Sequence, residues 1–129
     1  MSAKPRLLVV DNEIDICNFV KSFFEIRGFD VVGALNGDEA MKLLDSVKPD
    51  LVILDVMMRT DDEGLVYLPQ IKKKLPTAKV IMITGVDDKD TIEKAKKLGA
   101  DDYITKPLVL ETLENTVMNS VKHLNGLKK

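Results

Sequence analysis

Five short apolar runs alternate with longer segments of helical period, and this alternation constrains the fold more than any other feature of the chain. The runs are Val9-Val10, Val31-Val32, Leu51-Val52-Ile53-Leu54, Val80-Ile81-Met82-Ile83 and Tyr103-Ile104. They are too short and too continuously apolar for amphipathic helices, and read as strands buried on both faces. Strand and helix in strict succession, joined by a few residues, predict an α/β fold: a doubly wound parallel sheet with right-handed crossovers and helices on both faces. Such a sheet gathers the carboxyl ends of its strands on one edge. Four runs are followed there by chemically useful residues: Asp11 after LLVV, Asp55 after LVIL, Thr84 after VIMI and Lys106 after DYIT. Two carboxylates, a hydroxyl and an ammonium would meet, a set able to hold a divalent metal and a phosphoryl group.

The helical segments carry their own punctuation. Ile16, Phe19, Val20 and Phe23 recur at i, i+3, i+4 and i+7, as do Ala40, Leu43, Leu44 and Val47, so each segment presents one apolar face. Gly28 stops the first helix, Asn36 caps the second with Glu39 three places on, and Pro49 follows its end. In the last helix Leu110, Leu113, Val117, Val121 and Leu124 form the stripe, with Glu111, Glu114 and Asn115 off it.

At 129 residues and 45% hydrophobic content the chain fits one globular domain, residues 1–129. A net charge of -2, from 19 basic and 21 acidic residues interspersed, gives no electrostatic ground for direct nucleic-acid or membrane-surface binding, so proteins are the expected partners. No apolar stretch approaches the roughly 20 residues that span a bilayer, and MSAKPR lacks a signal-peptide pattern, so the chain reads as cytoplasmic. Cys17 is the only cysteine; its place in an amphipathic segment makes it a buried structural thiol.

Phosphate-binding turns built on glycine are absent: VVDNEID follows the first strand where GxGxxG would stand, and no GxxxxGK[ST] occurs. An acidic turn repels phosphate unless a cation intervenes. The first strand-to-helix turn therefore reads as half of a magnesium site, because magnesium takes hard oxygen ligands. Each residue also has a bland reading. A lone aspartate at a strand end is usually a cap or turn residue, Thr84 an ordinary β-branched strand end, Tyr103 a half-buried sheet aromatic, and Met57 and Met58 space fillers. The lysines at 94, 96 and 97 read as a solvated helix face. Only the joint spacing makes a functional set.

Four motifs in order, LLVVDNE, LVILDVMM, VIMITG and DDYITKP, resemble the receiver domain of two-component response regulators over nearly the whole chain. The resemblance implies a flavodoxin-like, CheY-like sheet of five strands in the order 2-1-3-4-5. It implies phosphorelay signalling, with Asp55 accepting a phosphoryl group from a sensor histidine kinase or phosphotransfer protein and so switching a face that binds an effector or output domain. Mg2+ would be held by Asp11, Asn12, Asp55 and the Met57 backbone carbonyl. Thr84 would bond the phosphoryl oxygens, Lys106 would pair with them across a cis Lys106-Pro107 peptide, and Thr84 with Tyr103 would form the switch. Such a chain is a switch that catalyses only its own phosphorylation and dephosphorylation. The resemblance also allows a phosphorylation-dependent homodimer, while too little sequence follows the last helix for a helix-turn-helix.

Three departures from the family pattern stand out. Asn12 occupies a position usually acidic, which removes one formal charge from the metal site, and Glu13 compensates only if it points inward. The loop RTDDEG replaces the usual proline-glycine pattern and carries one extra residue, so Pro69 is expected in the first turn of a late-starting third helix. Gly85 stands where alanine is usual and leaves the site accessible. Met57 and Val86, the positions that tune loss of the phosphoryl group, are apolar and cannot orient water, so slow autodephosphorylation is expected. Two alternatives stay open: a pseudo-receiver that binds proteins without phosphorylation, favoured by Asn12, and a haloacid dehalogenase-type phosphohydrolase, disfavoured by Met57 where a second aspartate is required.

Overall fold

The computed structural model describes residues 4–60, 62–85 and 89–122. Its elements alternate as the sequence predicts: β1 Arg6–Val10, α1 Ile14–Glu25, β2 Asp30–Ala34, α2 Gly37–Val47, β3 Leu51–Asp55, α3 Glu63–Lys74, β4 Lys79–Thr84, α4 Lys89–Lys97, β5 Asp102–Thr105 and α5 Leu110–Val121. All five strands pair in parallel, in the order β2-β1-β3-β4-β5. Successive strand residues face opposite ways, which splits the core in two. Leu7, Val9, Ile53, Ile81 and Ile104 pack beneath α1 and α5, while Leu8, Val10, Val52, Leu54 and Met82 pack beneath α2, α3 and α4. This double burial explains why the runs show no polar alternation.

Local signals set the helix ends. The Asn36 side chain accepts from the Glu39 N–H at 2.8 Å, and the Glu39 carboxylate accepts from the Leu35 N–H at 2.8 Å, a reciprocal cap. Lys48 adopts a left-handed conformation with φ 48° at the end of α2, just before Pro49. Gly28, with φ 92°, turns the chain after α1.

Three sequence expectations need correction. The buried face of α1 is Cys17, Val20 and Phe24, with Ile16 and Phe23 at its margin, whereas Phe19 is 38% exposed. Phe24 wins the core position because it meets Phe29 edge-on, with ring centroids 5.3 Å apart. Leu110 is 49% exposed at the start of α5, whose buried stripe is Leu113, Val117 and Val121; Leu124 lies outside the described residues. Pro69 is interior to α3 rather than in its first turn. The helix starts early because the Gly64 N–H donates to the Val56 carbonyl at 2.8 Å and Glu63 is buried against Arg59, which fixes the first turn at residue 63 and carries Pro69 inward.

The sheet has two edges, β2 and β5. At β2 the Lys21 ammonium, from α1, donates to the Val31 carbonyl at 3.2 Å. The four residues of β5 are exposed apart from Ile104.

Candidate functional site

The strand register steps the polar residues toward one another. Val10 pairs with Leu54, so Asp11 and Asp55 follow side by side; Asp55 pairs with Ile83, which puts Thr84 one step on; Thr84 pairs with Thr105, which puts Lys106 one step on. Asp11, Asp55 and Thr84 are buried, at 0%, 2% and 2% exposure. Lys106 enters from the solvent side: its Nζ lies 3.1 Å from Asp55 Oδ2 and 3.5 Å from Asp11 Oδ2. The Lys106-Pro107 peptide is cis, and the Lys106 N–H donates to the Thr84 carbonyl at 2.8 Å.

Charge in this site is unevenly balanced. Burial, and then the adjacent Asp11, push the Asp55 carboxyl up to about 6 against the pull of Lys106. Burial alone would depress the Lys106 ammonium, but Asp55 and Asp11 together raise it. Two carboxylates facing one ammonium leave an excess of one negative charge. Asp11 Oδ1 accepts the Glu13 N–H at 2.9 Å, whereas Asp11 Oδ2 is buried and forms no hydrogen bond among the described residues. Only the Lys106 ammonium, 3.5 Å away, offsets that buried oxygen, so the site favours a further cation.

The residues present fit magnesium on that observation and on donor chemistry. Among the described residues no three His, Cys, Asp or Glu side chains converge as a metal cluster. The site thus offers two carboxylates, which neutral oxygens would have to complement. The Asn12 side chain stands in the exposed turn directly after Asp11, and the Met57 N–H donates to Asp55 Oδ1 at 3.3 Å, which brings the Met57 backbone near the carboxylate. Oxygen-only donors of mixed charge suit Mg2+, which keeps several waters. Glu13 does not cap α1 with its side chain and adds to the negative field at Lys106.

The remaining sequence candidates lie at the rim. Tyr103 is 36% exposed, with the Lys96 ammonium 5.5 Å from its ring centroid, and lines a cavity of about 310 Å³ with Thr105, Lys106, Pro107 and Val109. A methyl added at Gly85 would meet nothing within 4 Å among the described residues. The Met57 side chain is 42% exposed beside Asp55; Val86 lies outside the described residues. Cys17 is buried, and its thiol is pushed up to about 11 by burial and then by Asp11, so it stays protonated.

Sequence reasoning passed over the Arg59–Glu63 pair in the loop after Asp55. Glu63 is buried at the start of α3, and its carboxylate accepts from Arg59 Nη2 at 2.7 Å and from the Gly37 N–H at 3.1 Å. The available signal was an arginine and a glutamate four residues apart, directly before Gly64, in a segment that otherwise reads as loop.

Comparison with known proteins agrees with this geometry. Residues 7–118 match the response regulator receiver domain family. The chain is 43% identical over 114 residues to the chemotaxis protein CheY of Listeria monocytogenes, an alignment covering 84% of this chain and 95% of that one. It is 37% identical to the alkaline phosphatase synthesis transcriptional regulatory protein PhoP of Bacillus subtilis, over 79% of this chain and 42% of that protein. Among solved structures, a two-component response regulator from Clostridium difficile superposes with a TM-score of 0.87 at 30% identity, covering 95% of this chain and 99% of that one. A response regulator from Thermotoga maritima gives 0.84 at 35% identity, covering 92% and 98%.

Proposed function

The chain belongs to the response regulator receiver domain family, and from that premise we propose that it is a phosphorelay switch whose phosphoacceptor is Asp55. Receiver domains of this family are signalling switches that generally bind Mg2+ and act between kinases and output effectors. The observation that carries the assignment is the Lys106 ammonium set between two buried carboxylates, Asp55 at 3.1 Å and Asp11 at 3.5 Å, with Asp11 Oδ2 forming no hydrogen bond among the described residues.

An Asp55 oxygen attacks the phosphorus of a phosphohistidine or acyl phosphate; the new P–O bond forms as the bond to the leaving group breaks, and the leaving group carries off the electron pair. Asp11, Asn12, Asp55 and the Met57 carbonyl would hold Mg2+, which would supply positive charge to neutralise the phosphoryl oxygens. Lys106 supplies the second positive charge and Thr84 a hydroxyl donor. The phosphorylated Asp55 then bears a group of roughly -1.5 to -2 charge, which draws Thr84 and Lys106 toward it. Tyr103, next to Lys96 and the cavity beside β5, follows by turning inward, and the surface presented to an effector protein changes. The donor is a sensor histidine kinase or phosphotransfer protein.

Intact-mass measurement after incubation with acetyl phosphate and Mg2+, on wild type and Asp55→Ala, tests this. A gain of one phosphoryl group that needs both Mg2+ and Asp55 is expected. No gain in a folded wild type would favour the phosphorylation-independent module, to which the neutral, exposed Asn12 points. A phosphohydrolase reading has no support, since Met57 offers no acid two residues after Asp55.

A further inference from the structure

Four polar or charged residues are buried among the described residues, and three of them, Asp11, Asp55 and Thr84, belong to the site above. The fourth, Glu63, does not touch it. Its Oε1 accepts from the Arg59 N–H at 2.9 Å and Nε at 3.1 Å, and its Oε2 accepts from Arg59 Nη2 at 2.7 Å, Nε at 3.1 Å and the Gly37 N–H at 3.1 Å. The Arg59 guanidinium also lies 3.7 Å from Asp38, at the start of α2. Arg59 is half exposed, so the attraction between the pair is screened by solvent and adds little net stability. What it does provide is directional: the two carboxylate oxygens collect both a side chain and a backbone N–H of the same loop residue.

That loop residue closes the turn after Asp55. On the near side, Val56 is held twice, its N–H donating to the Ile83 carbonyl at 2.8 Å and its carbonyl accepting the Gly64 N–H at 2.8 Å. On the far side, the Arg59 N–H is held by Glu63. Only Met57 and Met58 lie between: the Met57 N–H is directed at Asp55 Oδ1, and the Met58 N–H, which shares its peptide with the Met57 carbonyl, donates to the Thr60 carbonyl at 3.1 Å. With both ends fixed, the peptides between them have few orientations left. We infer that Glu63 is a positioning residue for the metal-binding turn: by gripping Arg59 it limits where the Met57–Met58 peptide can sit, so that the Met57 carbonyl oxygen stays available to a divalent cation at Asp55. The inference rests on the metal-dependent reading of that site. It adds a second anchor, remote from the ion, to a site whose Asn12 contributes no charge.

Calorimetric titration of the full chain with Mg2+ tests it, using wild type, Glu63→Gln, Arg59→Ala and, as a distant control, Asp45→Asn. Glu63→Gln keeps the size but turns one end of the group into a donor that faces N–H groups, so the grip loosens. Its Mg2+ Kd is expected to rise about tenfold, in line with outer-shell effects at metal sites. Arg59→Ala, which keeps the backbone N–H, should show a smaller rise, and Asp45→Asn none. Saturating Mg2+ should restore full phosphoryl uptake from acetyl phosphate in Glu63→Gln, a recovery that general damage to the fold would not give. Folded variants with unchanged Kd, or a wild type that binds no Mg2+, overturn the inference. Should Glu63→Gln not fold, Arg59→Ala decides by the same criterion. A wild type whose Mg2+ affinity depends on Glu63 but which takes up no phosphoryl group would leave the anchor standing and remove the phosphoacceptor reading.

Discussion

Lys106 is bound to Thr84 through its backbone, N–H to carbonyl at 2.8 Å, while its ammonium reaches across to Asp55 at 3.1 Å. The cation facing the Asp55 carboxylate is thus mechanically joined to the residue at the end of β4. A pull on the ammonium, such as a new dianion on Asp55 would exert, acts on both strand ends together. In the absence of a phosphoryl group the same ammonium occupies carboxylate oxygens that a metal would use.

Lys106→Met should therefore bind Mg2+ more tightly than wild type, by roughly tenfold, because an opposing cation next to both ligands has been removed. The carboxyl of Asp55 should at the same time titrate above about 6, since Lys106 is what draws it down. Calorimetry and a carboxyl-resolved NMR titration read the two effects.

The stability of the metal-free protein should respond to pH in the sense set by Asp55. Its folded value, about 6, lies above the ordinary 3.8, so ionisation is harder in the folded chain and costs stability above pH 6. As pH falls through 6 toward 3.8 the folded chain takes up the proton first and the cost disappears. Asp55→Asn in chelator should be more stable than wild type by about 1–3 kcal/mol at pH 8. Thermal melts should show that advantage gone near pH 4.

Glu63 runs the other way. Hydrogen bonding to Arg59 holds its carboxyl down to about 2, below the ordinary 4.5. Its contribution is present above 4.5 and lost as pH falls from there toward 2. Glu63→Gln should melt a few degrees below wild type at pH 7, with the two curves approaching each other as pH falls from 4.5 and meeting only near pH 2.

Gly64→Ala should cost at least about 2 kcal/mol, as overpacking against rigid backbone does. The added Cβ would lie 2.0 Å from the Asp55 carbonyl oxygen, so α3 or the end of β3 must move. Denaturant unfolding reads the loss, and slower phosphoryl uptake should accompany it.

Met57, 42% exposed beside Asp55, can neither accept from nor donate to a water. The aspartyl phosphate should consequently be long-lived, and Met57→Asn should shorten its half-life by roughly tenfold or more, since a positioned polar group is worth at least that in a proton-transfer step. Loss of the added mass with time measures it; a wild-type half-life of seconds would count against the assignment.

Much of this arrangement is legible in the chain because it depends on local pattern. LVIL followed by aspartate and VIMI followed by threonine specify buried parallel strands, and the topology alone brings their ends together. Asn36 and Glu39 announce their helix start. What escaped is tertiary. Periodicity cannot tell Phe19 from Phe24 on α1, because the choice depends on Phe29 across the turn. Pro69 argues for a late helix by its own chemistry, yet Gly64 and Glu63 fix an earlier one through contacts with Val56, Arg59 and Gly37. The partners that give Glu63 its meaning include a residue 26 positions away, and no window of sequence contains that relation.

The borders of the sheet bear on a different matter, behaviour at high concentration. An open parallel sheet has two unpaired rims, and an unblocked rim invites strand pairing with a neighbouring molecule. Here Lys21 occupies the Val31 carbonyl on one rim, while the other is a strand of only four residues that begins at Asp102 and runs into Lys106-Pro107. One rim is plugged by a cation and the other is too short and too charged to template an addition. Both rims are thereby kept from joining the sheet of a neighbouring molecule.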